Sequence, residues 1–437
     1  MRLLLVMSML YDLAVTALDV KDAFLVVDQK EVMFVVIPEW IRELAQDRAT
    51  HWLLLKCLPG QRNAALRWNE HFTGLCSEVG MESYAGCSTI MRLIQGDRRI
   101  YLSVHVDDVI LICKPEDVEW LSQTVGRTWT MKKDGPHRQG EGGSLYYLKK
   151  KITLLSEGIL IQRSNTYIPK LTALLKTSGR RKRGLPYHST LESYCPDNDY
   201  EPERLVGENA ALFRSALGPI LYIAQGRVDI QFSTKVLATY MAHPCVKAMA
   251  AIKHLALYLD GTADAGILLR RCDAYDTTFD RWSEEEVVEP DFHRDRSVLT
   301  LDAFSDSSWG DEKSTRKSTT SRMVFAIGCL VLSICRAQAT IALSSCEAEL
   351  YAANSTMVEC IYLHQLAQFL VGSEQEETTT FLGFILCKVC SSTFWSRKAQ
   401  ACGDQTYVSS TIAEKRSFHN PQDSHSSESS RFQYKET

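Results

Sequence analysis

The chain has 437 residues, 45% of them hydrophobic and 23% charged, with a formal net charge of −4. This is ordinary globular composition with room for two or three domains, and it excludes nucleic-acid recognition by overall charge; any such role must rest on local basic patches and bound metal. The 14 cysteines are scattered singly, so reduced thiols and an intracellular location, cytoplasm or nucleus, are expected rather than a disulfide framework.

Met1 to Leu10 imitates a short signal peptide, with Arg2 ahead of an apolar run, but no clean small-residue cleavage site follows. Leu3 to Leu13 reads instead as a buried helix. Thr16 to Phe24 reads as a strand, with Leu18, Asp19 and Val20 alternating, that runs into a turn or helix start. Asp19 is an acid among apolar neighbours: a turn or cap acid on one reading, the partner of a distant acid on another. Trp68 to Val79 has the spacing of an amphipathic helix packed under a sheet.

Ile100 to Cys113 holds two short apolar, β-branched runs around the adjacent acids Asp107 and Asp108. The composition predicts a hairpin with both carboxylates at its tip. Two ionised carboxylates beside a buried strand repel each other and are costly unless something positive compensates them. Oxygen-rich acid clusters suit Mg²⁺, while an exposed polar turn explains the same residues equally well when they are taken alone.

Trp120 to Trp129 and Tyr167 to Thr177 read as helices, and Phe213 to Ala242 with Val246 to Leu259 as a strongly apolar helical region. Residues 186–204, with three prolines among acids, read as a connector, and Gly179 to Gly184 as a basic loop. Val324 to Cys335 is far short of the roughly 20 residues that a membrane span needs. Val298 to Ser305 begins a new strand that delivers Asp306, followed by a strand pair over Met323 to Ala342 and a helix opening at Ser344.

Five motifs occur in order. Asp19-Val-Lys-Asp-Ala-Phe-Leu25, Leu55 to Trp68 and His105-Val-Asp-Asp-Val109 resemble the reverse transcriptase of Copia-type LTR retrotransposon Pol polyproteins. Phe213 to Ala224 with Tyr258 to Thr262 resembles that family's connecting segments. Ser305-Asp-Ser-Ser-Trp309 with Ser344 to Tyr351 resembles the start of its RNase H domain. The likeness covers most of residues 1 to about 370.

That resemblance implies an α+β fold: a palm of antiparallel sheet and helices, a helical thumb or connection, and an RNase H-like α/β domain. The implied division is 1–160 palm with incomplete fingers, 161–269 thumb or connection, 270–297 linker, 298–375 incomplete RNase H-like domain, and 376–437 divergent, disordered tail. It implies RNA-directed DNA polymerase chemistry, with Asp19 and Asp107 holding two Mg²⁺ (or Mn²⁺) ions about 3.5–4 Å apart and Asp108 supporting them. Asp22, Ala23 and Phe24 would border the incoming dNTP, Phe24 packing under its sugar. An RNA/DNA primer–template is the implied partner, and no membrane is.

Leu58 to Trp68 would lie near the template, with Gln61 and Asn63 both candidates for its polar contact and Arg62 and Arg67 either phosphate contacts or solvated surface. Leu145 to Ile152 resembles the segment that grips the primer, but Lys149 stands where the family has Gly, so its tight turn is questioned. Arg227-Val-Asp-Ile230 lacks the family's Pro, which a helix start tolerates.

In the RNase H-like part, Asp306 and Glu349 are the implied metal ligands, while Glu347, two residues away, reads as an acid favoured by the helix N-terminus. The family's third and fourth carboxylates have no match, Glu374, Glu376 and Glu377 lying in a polar context. Cys387 and Cys390, with Cys402, His419 and His425, permit a weak zinc reading. Three functional readings follow: an active polymerase, a silent fragment that at most binds nucleic acid, and a domesticated interaction protein.

Overall fold

The computed structural model of the chain describes residues 1–45, 49–125, 131–188, 204–270 and 299–372, with the backbone of 383–386. It opens with α1 (Arg2–Leu10), buried from Leu3 to Met9. A helix apolar on every side has to be surrounded, and α1 lies in one core with residues from all three main sheets.

After it come β1 (Ala14–Val20), α2 (Ala23–Val26), β2 (Phe34–Val36), α3 (Glu39–Ala45), β3 (His51–Leu53) and α4 (Ala64–Glu78). Then follow β4 (Glu82–Tyr84), β5 (Cys87–Gln95), β6 (Arg98–His105), β7 (Asp108–Cys113), α5 (Pro115–Val125) and β8 (Met131–His137). β2 and β3 pair as a separate ribbon, and the other six strands form one antiparallel sheet in the order β4-β5-β6-β7-β1-β8.

β1 and β7 are central and covered on both faces, so their sequences are nearly continuous apolar runs rather than alternating ones. Val15, Ala17, Ile110 and Ile112 share the α1 core on one face. Leu18, Val20, Val109 and Leu111 share a second core with Trp68 and Phe72 of α4 on the other.

A second sheet starts with β9 (Ser144–Tyr147), β10 (Lys150–Leu155) and β11 (Gly158–Arg163). Four helices then intervene: α6 (Tyr167–Leu174), α7 (Gly207–Ala224), α8 (Gln231–Thr239), entered through a 3-10 turn at Val228–Ile230, and α9 (Val246–Gly261). They enclose a core of their own around Phe213, Ile220, Ile252 and Leu255. The chain returns as β12 (Ile267–Arg270), giving the order β12-β11-β10-β9.

The helical region read over 161–269 is therefore framed by strands. A boundary at 160/161 falls inside β11, and one at 269/270 falls inside β12. A short apolar run does not announce a partner strand so far along the chain, and β11 pairs with β12 from Gly158↔Arg270 to Ile161↔Ile267.

The third sheet comprises β13 (Leu301–Ser308), β14 (Thr319–Ala326), β15 (Cys329–Ala337) and, beyond α10 (Ser345–Val371), β16 (Gly383–Leu386). The first three form an antiparallel meander and β16 lies parallel to β13.

Polar contacts tie these parts together. Gln231 and Ser333 exchange hydrogen bonds, Nε2 to the carbonyl at 3.1 Å and Oγ to Oε1 at 2.8 Å. Lys235, its side chain almost fully buried, meets Asp311 at 3.3 Å. The far end of α10 rests on the first sheet, where Arg92 and Arg99 donate to the carbonyls of Phe369 and Val371.

No helix among the described residues is long and apolar enough to cross a membrane. The linker over 270–297, apart from Arg270, and the tail over 376–437, apart from the β16 backbone, lie outside the described residues.

Candidate active site

β6 and β7 form the expected hairpin, with Val106 and Asp107 as its two-residue turn and Asp108 as the first residue of β7. Val106 adopts φ 58°, a left-handed conformation that costs a β-branched residue on the order of 1–2 kcal/mol. A neighbour holds it there: the indole N–H of fully buried Trp68 donates to the Val106 carbonyl. The sequence places Trp68 in the core. That it clamps the acid-bearing turn does not follow from the sequence, although a buried indole needs an acceptor and so signals one.

β1 runs antiparallel to β7 with Asp19 directly opposite Asp108, and the Val20 N–H donates to the Asp107 carbonyl at 3.2 Å. Residues directly opposite share a face, with Cβ atoms about 4.5–5.5 Å apart. Asp19 and Asp108 thus flank each other, with Asp107 beside them at the tip.

Burial first, then the Asp107 and Asp19 carboxylates, raise the Asp108 pKa above its ordinary value; His105 and a backbone N–H from Leu148 work against that. On the other side of β1, Lys132 of β8 stands opposite Asp19. This placement of Lys132 depends on the β1–β8 register, which cannot be seen from the chain.

The turn questioned at Lys149 does form. Leu148 and Lys149 take φ 51° and 57° between β9 and β10, in register at Tyr147↔Lys150. Both central residues at positive φ make the two-residue hairpin turn that favours Gly and Asn. It is built here without glycine, and its Leu148 N–H reaches Asp108.

Asp22 sits in the left-handed region, φ 56°, at the start of the four-residue α2; Ala23 is buried and Phe24 packs partly buried against the α4-side core. Gln61 is engaged locally, accepting from the Leu58 N–H at 3.0 Å. Asn63 stands exposed at the start of α4 with no side-chain cap bond. Arg67 pairs with Glu31 at 2.6 Å and Glu70 at 3.1 Å, which makes it a structural ion pair.

A second acid pair lies where β13 meets α10. Asp306 is buried on β13. Glu349, in the second turn of α10, accepts from the Ser307 N–H at 3.2 Å, and burial raises its pKa against that hydrogen bond. Glu347 does cap the helix: its N–H donates to Ser344 Oγ at 3.1 Å, and its carboxylate accepts from the Leu343 N–H and the Tyr351 hydroxyl, each at 2.6 Å. β16 reads Gly-Phe-Ile-Leu and carries no carboxylate. Glu374, Glu376, Glu377 and the Cys387, Cys390, Cys402, His419 and His425 set lie outside the described residues.

Among the described residues no group of three or more His, Cys, Asp and Glu side chains is gathered to hold a metal ion. Mg²⁺, however, is usually held by one or two carboxylates, waters and substrate phosphates rather than by an all-protein cage. The mutually repelling Asp19, Asp107 and Asp108, all oxygen donors, fit that chemistry.

Known proteins match in the same places. The family described as "Reverse transcriptase (RNA-dependent DNA polymerase)" matches residues 1–139. The retrovirus-related Pol polyprotein from transposon TNT 1-94 of Nicotiana tabacum is 24% identical over 388 residues, 87% of this chain and 26% of that protein. The polyprotein from transposon RE1 of Arabidopsis thaliana is 22% identical over 80% of this chain and 21% of its own length. The uncharacterized mitochondrial protein AtMg00810 of the same plant is 24% identical over 60% of this chain and 92% of its own. The chain thus spans about a quarter or less of the two polyproteins. Its carboxylate hairpin falls within the front segment, residues 1–139, that matches the reverse transcriptase family, and most of the chain is similar, at 22–24% identity, to part of these transposon Pol polyproteins.

Proposed function

We propose that the chain catalyses template-directed DNA synthesis on RNA, with Asp19, Asp107 and Asp108 as the carboxylates of the nucleotidyl-transfer site. The observation that carries this reading is the register of Asp19 against Asp108 at the end of the β6–β7 hairpin. It concentrates negative charge at one end of the two central strands, with no ion pair to Asp19 or Asp107 among the described residues.

Mg²⁺, or Mn²⁺, bound there would ease deprotonation of a primer 3′-hydroxyl and neutralise the leaving pyrophosphate. Asp19 and Asp107 would hold the ions, and Asp108, oriented by the Leu148 N–H, would keep the cluster anionic. Trp68 fixes the height of the tip through Val106. The Asp22–Phe24 segment would border the nucleotide, with the Phe24 ring beneath its sugar, and the exposed Asn63 is better placed than Gln61 to meet the template. Lys132, beside Asp19, supplies positive charge where phosphates would pass.

The division into palm, helical thumb or connection and RNase H-like domain belongs to this same reading. It is supported by the separate sheets and by the meander that delivers Asp306 ahead of α10. In that domain Asp306 and Glu349 would be metal ligands. For this second site, hybrid binding without hydrolysis is favoured, because β16 lacks a carboxylate. Extension of a DNA primer on an RNA template by the purified chain, dependent on Mg²⁺ or Mn²⁺, tests the polymerase reading. An absence of product with both ions would refute it.

A further inference from the structure

Trp309 directly follows β13, the strand that carries Asp306, and is 51% exposed. It is not loose: the indole N–H donates to the Ala342 carbonyl at 3.0 Å. Ala342 lies between exposed Ile341 and Leu343, the latter 85% exposed, just ahead of the Ser344 cap of α10. The Leu343 N–H is fastened in turn to Glu347 at 2.6 Å. A large aromatic ring is therefore held in solvent from both strand and helix, on the corner where Ser307 and Glu349 meet.

Beside it, in a loop that also carries Asp311 and Glu312, stand three cations. The Arg316 guanidinium lies over Gly310, its Nη2 3.6 Å from where a Cβ there would sit. The loop is closed on itself by the Arg316 backbone N–H donating to the Glu312 backbone carbonyl at 2.7 Å and the Gly310 N–H donating to Ser318 Oγ at 3.0 Å. Lys313, Arg316 and Lys317 form no ion pair among the described residues, whereas Asp311 in the same loop is taken up by Lys235 and Thr319.

We infer that Trp309 is a stacking platform for an unpaired base of a nucleic-acid strand lying along the Asp306–Glu349 corner, with Arg316 on the adjacent phosphate. An exposed, oriented aromatic next to cations is the pairing that binds single strands, since every base offers a π-face and every linkage a charge. An apolar protein partner would need no cation beside the ring. The inference rests on the reading that this corner faces nucleic acid.

The test uses the full chain and a short RNA–DNA hybrid with a single-stranded end bearing 2-aminopurine. The signal is placed in the ligand because the protein has eight tryptophans. Wild type should bind and quench the probe. Trp309→Ala should weaken binding roughly 5- to 150-fold and abolish the quench. Trp309→Phe, which keeps a stacking face but loses the N–H to Ala342, should retain most of both. Arg316→Gln should keep the quench and lower the salt slope by about one.

Wild-type binding that Trp309→Ala leaves unaltered would overturn the platform while sparing the nucleic-acid reading of the corner. Equal losses for Phe and Ala, with a quench surviving at saturation, would make Trp309 a structural residue and overturn it too. A wild type that binds no hybrid would remove both readings together.

Discussion

Asp19 and Asp108 stand directly opposite each other on neighbouring antiparallel strands, two carboxylates on one face at the end of a buried sheet. That position is unfavourable for folding, and this cost is what the proposed site rests on.

Replacing Asp108 with Asn should therefore stabilise the free protein. Its pKa is raised in the fold, so ionisation is harder folded than unfolded, and stability falls as pH rises from the ordinary carboxylate value of about 4. The penalty is fully present once the pH exceeds the raised value in the fold. Thermal melts should show Asp108→Asn above wild type at pH 7, with the gap closing on acidification. Mg²⁺ should raise the wild-type midpoint more than the variant's. A variant that melts lower at pH 7 would contradict the electrostatic account.

Trp68→Phe removes the indole donor to Val106 while leaving an aromatic ring in the core. The expected cost is about 1–3 kcal/mol of stability from the freed carbonyl and lost volume. Extension should fall further than the loss of folded protein explains, because the tip loses its fixed height. Activity per folded molecule, from active-site titration beside circular dichroism, separates the two effects.

Lys149→Gly should gain about 0.5–1 kcal/mol in denaturant melts. Lys149 sits at φ 57°, a region that costs an L-residue on the order of 1–2 kcal/mol and costs Gly little, offset in part by the looser unfolded chain. The same change removes one cation near the site, so binding of primer–template should become slightly less salt-sensitive.

Arg92 joins the first sheet to α10: it pairs with Glu82 at 2.8 Å, donates to the Phe369 carbonyl and lies 4.5 Å from that residue's ring centre. Arg99 does the same for Val371 from above Tyr11. Cations at a helix C-terminus are favourable, and Arg92→Met should cost about 1–3 kcal/mol, with protease cutting appearing first near the end of α10. Cutting elsewhere would show that the latch does not hold these parts together.

The strands and helices were largely legible because apolar runs and helical spacing are local properties. β1, β7, α4 and α10 begin within a few residues of where the pattern sets them. Register was not legible. Lys132 is opposite Asp19, and β11 pairs with β12 across an insertion of four helices, for reasons that lie in three-dimensional packing. Trp68 could be read as core but not as the donor to Val106. The turn at Lys149 went against its own propensity, and only the strands on either side make it close.

The account is tested most directly by single-turnover extension of a DNA primer on an RNA template with Mg²⁺, comparing wild type with Asp19→Asn and Asp107→Asn. It predicts dNTP incorporation by the wild type and a loss on the order of 10²–10³-fold or more in each variant, with primer–template affinity retained. Variants that extend as the wild type does, or a wild type that makes no product with Mg²⁺ or Mn²⁺, would contradict it.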